Sequence, residues 1–256
     1  MHFYGRDGSS QHTIIGKNGK ERTTSIKDAR ELGLVPSVTT IMDVQAKPAL
    51  MVWLQNQITE AAWQCIKSGH PTDEVDYKRH LINTSKQIGE KAAKRGNEIH
   101  DAMEGYFKDT NSETNVVKEL DYIEPAIRLI HEAFPYYTWY PEQSFCHESG
   151  FGGRIDLWGT DNNGNYVIID FKTKDKTDLK DFVQYDEHRI QLAAYQLGLR
   201  LPTNTRRFNL FISVNEKTPG LCKLVECTEF SRYLGWFSAL HRVWVIKNKY
   251  DPGEVA

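Results

Sequence analysis

Cysteine is scarce in this chain, and scattered. Cys65, Cys146, Cys222 and Cys227 are the only four in 256 residues and form no C-x-x-C pair, which excludes a disulfide framework or a zinc ribbon and leaves isolated reduced thiols. Cys222 and Cys227 fall in a strand-like stretch rather than a compact cysteine-rich loop, so no iron-sulfur cluster is expected. No apolar run approaches the roughly 18 residues that a membrane span needs. The opening M-H-F-Y-G-R-D-G-S-S has neither the apolar stretch of a signal peptide nor the Arg-rich pattern of a transit peptide, so the expected location is cytoplasmic. Neither sign of charge prevails: 32 Lys and Arg against 34 Asp and Glu give a net charge of −2. There is thus no global basic field of the kind that marks many nucleic-acid binders. A nucleic-acid ligand would need a local groove or a bound cation. Repeats and low-complexity segments are absent as well.

What is present is a core-forming composition, 39% hydrophobic and 26% charged, enough for one large domain or two small ones. Residues 1–35 are polar, with a turn at Gly16, Asn18 and Gly19, and read as a hairpin-like extension. Residues 36–135 read as a helical part: a segment opened by Pro36 and Ser37, then a helix started by Pro48 with Leu50, Trp53, Leu54 and Ile58 at helical spacing. Pro71 and the acids Asp73, Glu74 and Asp76 interrupt it. A long helix follows over 77–107, with Ile88, Ala92, Ile99, Ala102, Met103 and Tyr106 as one apolar stripe; a polar loop over 109–115 and a helix over 116–132 complete this part. Residues 136–256 change character. Three strands with turns at G-F-G-G and D-N-N-G-N lead to a helix over 191–199, strands over 207–214 and 221–227, and an amphipathic helix over 231–249 bearing Tyr233, Trp236, Phe237, Leu240 and Trp244. This order is that of an α/β fold with a sheet covered by helices, and 36–256 is expected to form one compact unit.

Chemistry concentrates in a few places. Gly153 and Asp156 lie on one expected strand, and Asp170, Phe171 and Lys172 at the end of the next, after the almost wholly apolar run from Tyr166. Strand alternation puts Asp170 and Lys172 on the same face, with Phe171 opposite. Two carboxylates and an ammonium then converge at one end of a sheet. Phosphodiester hydrolysis uses such a set: hard oxygens hold Mg²⁺ or Mn²⁺, and a lysine orients the attacking water or neutralises charge developing on phosphorus. A D-x-K triplet alone is equally a strand-end turn with a surface ion pair. On the long helix Gly96 and His100 share a face, one turn apart; alone, His100 reads as an ordinary helix histidine. Gln191 and Tyr195 are likewise one turn apart, and alone they too are unremarkable.

Together and in this order, these residues resemble the RecB-like branch of the PD-(D/E)XK nuclease superfamily, whose pattern is G-x-x-x-H, G-x-x-D, D-x-K and Q-x-x-x-Y. The resemblance implies a restriction-endonuclease-like core, a central mixed sheet flanked by helices, with a helical N-terminal part. It implies that His100, Asp156, Asp170 and the backbone carbonyl of Phe171 ligate a catalytic Mg²⁺ or Mn²⁺, that Lys172 acts on the attacking water, and that Gln191 and Tyr195 brace the site and touch the substrate strand. Glu142, on the first strand, sits where such nucleases often carry an acid. A narrower resemblance, through residues 35–41 (V-P-S-V-T-T-I), 50–53 and 94–100 with Glu104 and Tyr106, is to the mitochondrial genome maintenance exonucleases and their phage and bacterial relatives, whose substrate class is single-stranded DNA. The missing transit peptide points to a phage or bacterial member.

The implied activity is a metal-dependent DNA exonuclease, preferring single strands or frayed ends, in recombination, repair or replication, alone or with a partner protein. The alternatives are a structure-selective endonuclease on the same core and a catalytically silent DNA-binding accessory. Basic residues border the motifs: Lys86, Lys91, Lys94 and Arg95 before His100, and Lys174, Lys176 and Lys180 after Lys172, with Arg206 and Arg207 as a third group. Trp53, Trp63, Tyr106 and Phe107 are candidates for base stacking, although most of such aromatics belong to cores.

Overall fold

The computed structural model describes residues 1–68, 73–108 and 118–253. Pro71, the whole of the expected loop over 109–115 and the start of the helix expected from 116 lie outside the described residues. Two compact units result, Met1–Gln45 with His100–Ala256, and Ala46–Ile99.

The larger unit is built on a five-stranded sheet in the order β5-β6-β7-β8-β9, with β5 at Thr138–His147, β6 at Phe151–Thr160, β7 at Tyr166–Lys174, β8 at Arg206–Ser213 and β9 at Cys222–Glu226. All neighbours are antiparallel except β7 and β8, so the sheet is mixed. The parallel pair requires a crossover, which the helix α6 at Asp186–Gly198 provides. Val167, Ile168 and Ile169 of β7 are fully buried, as expected of a central strand covered on both sides. On one side α6 packs with the C-terminal helix α7, Phe230–Asn248, and with the short α2, Val38–Met42. On β8 and β9 lies α5, Leu120–Ala133. Tyr233, Phe237, Leu240 and Trp244 are buried as their spacing predicts, whereas Trp236 is 36% exposed.

The first 35 residues are more than a polar hairpin. The hairpin exists, β2 at Thr13–Ile15 against β3 at Glu21–Thr23. Around it, β1 (Phe3–Tyr4) pairs with β4 (Val35–Pro36), and Phe3, Ala29 and Val35 are fully buried. Between them runs α1, Ile26–Leu32, capped reciprocally by Ser25 and Asp28 and ended by Gly33 in the left-handed region. The segment P-S-V-T-T-I also has a structural purpose. Ser37 accepts the N–H of Thr40 at 3.0 Å as the cap of α2, and Val38, Ile41 and Met42 enter the same core cluster as Ile155, Ala193 and Ala194.

The hairpin turn before β6 differs from expectation. The turn comes earlier, ending at Gly150 with φ +82°, and Gly152 and Gly153 lie within the strand. They are glycines because of packing: a Cβ on Gly152 would stand 2.9 Å from Tyr4 Cβ, and one on Gly153 would stand 2.8 Å from the Phe145 ring. Gly198 on α6 admits the same ring, its hypothetical Cβ lying 2.0 Å from it.

The smaller unit comprises α3, Pro48–Ser68, and the front of α4, Glu74–Phe107. Leu50, Trp53, Leu54 and Ile58, which recur at helical spacing, are 39 to 49% exposed, while Ala61 and Cys65 are buried. The buried positions on α3 are thus small side chains. On α4 the stripe holds at Ile99, Ala102 and Met103, all fully buried, but Ala92 is exposed. Among the described residues no helix is long and apolar enough to cross a membrane.

The Phe145 ring therefore sits in a slot made by two glycines. Gly198→Ala is expected to lower the unfolding free energy by roughly 1–3 kcal/mol through overpacking, measured by urea denaturation, and Phe145→Leu in the same chain should restore part of the loss.

Candidate active site

The ladder between β6 and β7 runs from Thr160↔Tyr166 to Leu157↔Ile169 and stops. The next opposed residues are Asp156 and Asp170. At that point Oδ2 of Asp156 accepts the N–H of Phe171 at 2.6 Å, so a side chain takes over from the backbone ladder. The same gap occurs on the other flank, where the register of β5 with β6 omits Glu142 opposite Asp156. Glu142 has φ +52°, a left-handed conformation that costs a non-glycine residue about 1–3 kcal/mol. Its carboxylate pairs with Nε of Arg154 at 2.5 Å. That arginine is 56% exposed, and an exposed ion pair contributes only about 0–1 kcal/mol. The pair does not offset the strain by itself.

Asp170 lies inside β7 rather than at its end, and is 2% exposed. Its Oδ2 receives both Lys172 Nζ at 2.6 Å and Asn209 Nδ2 at 2.8 Å. Asp170 and Lys172 thus share a face, as alternation predicts. Nζ of Lys172 also donates to Gln191 Oε1 at 2.9 Å, and Gln191 Nε2 donates to the Tyr195 hydroxyl at 2.7 Å. The i, i+4 pair on α6 is therefore a continuous relay to Lys172. On the other side of Asp156, His100 Nδ1 stands 3.6 Å from Oδ1, and the His100 ring meets Phe171 edge-on at 5.8 Å. His100, Asp156, Asp170, Lys172, Gln191 and Tyr195 all belong to the larger unit and converge on the fork between β6 and β7.

Burial sets the electrostatics. It pushes Asp170 up to about 6 despite Lys172, with Asp156 adding to the rise. Asp156 is also raised by burial, but His100, Lys172 and the Phe171 N–H outweigh this and leave it below the ordinary carboxylate value. Glu142 rises to about 7 through burial, then the charge of Asp156, with Glu104 contributing. Burial and the two aspartates hold the Tyr195 hydroxyl well above its usual value, so it remains protonated. For His100, burial pulls downward, yet Asp156 overcomes it and the imidazole is raised.

The donors around the fork are carboxylate oxygens and one imidazole, the chemistry that suits Mg²⁺ or Mn²⁺. A buried carboxylate held upward beside a second one is an environment that a dication would relieve. Among the described residues no three His, Cys, Asp or Glu side chains converge closely enough to enclose an ion as they stand; Asp170 is engaged by Lys172 and Asp156 leans toward His100.

Other expected contacts resolve differently. Arg207 is no part of a basic surface: it is buried and donates to the carbonyls of Cys227, Thr205 and Thr228 and to Gln196. Arg206 pairs with Glu226. Lys174 is half-buried over the Tyr185 ring and Lys176 is exposed. Lys94 is exposed and Arg95 pairs with Glu98, both within the smaller unit. Tyr106 and Phe107 pack against His131, and Phe107 also against Trp139; Trp53 and Trp63 are exposed. Asn209 escaped the motif reading, as did Gln184, which donates to Asn209 Oδ1 at 2.7 Å, and Arg154. For Asn209 the signal is the register of β7 with β8, where it faces Asp170.

The family model of the PD-(D/E)XK nuclease superfamily matches residues 57–221, a span that contains Gly96, His100, Gly153, Asp156, Asp170, Lys172, Gln191 and Tyr195, and the chain belongs to that superfamily. It is a nuclease by family. Among curated proteins none matches. Similar solved structures include one described as "Putative exonuclease" from Eubacterium rectale, at 17% identity over 60% of this chain and 68% of that one with a TM-score of 0.38. Another is an alkaline exonuclease from Laribacter hongkongensis, at 17% identity over 52% and 72% with a TM-score of 0.30.

One histidine near the site offers a measurable pH signature. Burial first, then Lys172, Lys174 and Arg189, push His188 down to about 3, whereas an unfolded histidine titrates near 6.5. Between these values the unfolded chain binds the extra proton. Stability is therefore full above about pH 6.5 and falls as pH drops, by at most about 1.4 kcal/mol per pH unit from this group. His188→Gln is expected to flatten that acid-side decline, measured by urea unfolding at a series of pH values.

Proposed function

We propose that the protein is a Mg²⁺- or Mn²⁺-dependent DNA exonuclease acting on single strands or frayed ends, in recombination, repair or replication. The observation that carries the reading is the convergence of Asp156, Asp170, His100 and Lys172 at one strand fork in a member of a nuclease superfamily. Asp156, Asp170 and His100, with the carbonyl of Phe171, would hold the cation. When bound, the cation polarises the phosphate and makes water a better nucleophile at neutral pH. Lys172, fixed between Asp170 and Gln191, directs its ammonium toward that water or toward the charge that grows on the phosphoryl oxygens. Gln191 and Tyr195 fix the lysine, and the neutral tyrosine hydroxyl adds no charge beside the acids. Asn209 holds Asp170 in the orientation needed for a ligand. The single-strand preference rests on the resemblance of residues 35–41 and 94–100 to the mitochondrial-type exonucleases. Lys94, Arg95, Lys174 and Lys176 are proposed as backbone contacts.

Asp170→Asn and Lys172→Ala, each checked for folding by circular dichroism, are expected to reduce cleavage by on the order of a hundredfold or more. Chelation of divalent cations should stop cleavage, and added Mg²⁺ or Mn²⁺ should restore it. Full activity in both variants would remove the site assignment. Linear single strands labelled at the 5′ or 3′ end, run beside a circular single strand, separate the modes: the circle should persist while the linear strands shorten. Loss of the circle would favour an endonuclease.

A further inference from the structure

We infer that Arg154 binds a phosphodiester of the DNA strand next to the fork, and that Glu142 is the residue that positions it. The inference rests on the nuclease reading above.

Arg154 lies two residues ahead of Asp156 on β6 and is 56% exposed, whereas its partner carboxylate on Glu142 is 9% exposed. The pair is joined through Nε, at 2.5 Å. Among the described residues no acceptor lies within hydrogen-bond geometry of its two terminal nitrogens. A guanidinium whose Nη edge faces no acceptor presents two parallel donors, the geometry that matches two phosphate oxygens. Glu142 reaches it from a left-handed backbone position, at φ +52°, that interrupts the ladder beside Asp156. Such strain persists where the surroundings over-determine it, and it collects at sites that bind or react.

Charge balance points the same way. A DNA strand approaching the fork meets Asp156, Asp170, Glu142 and Glu104, of which the last acts on Glu142 through space. Lys172, another cation there, is already engaged with Asp170 and Gln191. Among the described residues at the fork, Arg154 is a cation that remains open to an incoming anion. The Arg154 charge acts through space on Tyr4 and His12, whose rings meet edge-on at 5.1 Å. A plain structural ion pair would call for neither the exposure nor the open donor edge.

The test measures binding without catalysis. Fluorescence anisotropy of an end-labelled single-stranded oligonucleotide is followed with metal-free protein in chelator, over a range of salt concentrations. Arg154→Ala is expected to weaken binding roughly tenfold at low salt and to lower the slope of log K against log salt by about 0.7, the loss of one phosphate contact on a single strand. Arg154→Lys should keep the slope but bind more weakly than wild type, because an ammonium cannot engage two oxygens in parallel. Glu142→Gln should keep the slope and lose part of the affinity. Wild-type affinity and slope in folded Arg154→Ala would overturn the inference; if that variant does not fold, wild-type affinity in Arg154→Lys would do so. Wild-type protein that neither binds nor cleaves DNA would overturn the nuclease reading itself, an outcome distinct from unaltered binding by the arginine variants.

Discussion

Two carboxylates, Asp156 and Asp170, meet where strands β6 and β7 part, and the surrounding elements are arranged to make that meeting tolerable. A buried carboxylate without partners is strongly unfavourable, and two side by side are worse. Each therefore has its own set of donors: the Phe171 N–H and His100 for Asp156, and Lys172 and Asn209 for Asp170. These donors come from three different elements, α4, β7 and β8. The parallel register of β7 with β8 is what brings Asn209 opposite Asp170, and the crossover helix α6 is what brings Gln191 and Tyr195 to Lys172. Removing one donor would leave the others holding an under-compensated charge, so the site is cooperative in the sense of a hydrogen-bond network.

The frame that holds this network is packed on absences of side chain. Gly152, Gly153 and Gly198 let Tyr4 and Phe145 lie against the sheet and the crossover helix at distances no Cβ would permit. Tyr4 belongs to the first strand pair, and Ser37 caps the helix that packs over Ile155 and Ala193. The N-terminal 45 residues are thus a supporting wall of the larger unit. This gives residues 35–41 a physical meaning separate from any substrate: a strand end, an N-cap and six buried residues in seven positions.

What could be read from the sequence was short-range. The pairing of Asp170 with Lys172 follows from strand alternation, and that of Gln191 with Tyr195 from one helical turn; neither needs the rest of the chain. Asn209 could not be found this way, because its link to Asp170 spans 39 residues and depends on a parallel register. Arg154 stood inside the G-x-x-D motif as an unassigned position, since its meaning depends on the backbone flip at Glu142. Glycine misled in G-F-G-G, where close packing rather than turning requires it. The apolar spacing on α3 predicted the helix correctly but not its burial, because periodicity defines a face and not what covers it. Arg207 read as surface charge because a buried arginine satisfied by backbone carbonyls has no signature in composition.

Near-neutral net charge also takes on a different meaning once the charges are placed. Part of the positive charge is internal: Arg207 is spent on carbonyls and Lys172 on Asp170. Part of the negative charge is internal too, in Asp156, Asp170 and Glu142. A formal sum of −2 therefore counts groups whose charge a neighbouring side chain already offsets before a polyanion arrives. What it meets depends on which cations keep donors open at the fork. An acid cluster can coexist with an anionic substrate only if positive charge is supplied locally, by a bound dication, by an open guanidinium, or by both. The fold meets the second condition through a strained backbone position beside Asp156, which ties the conformation of one residue on β5 to the electrostatics of the whole site.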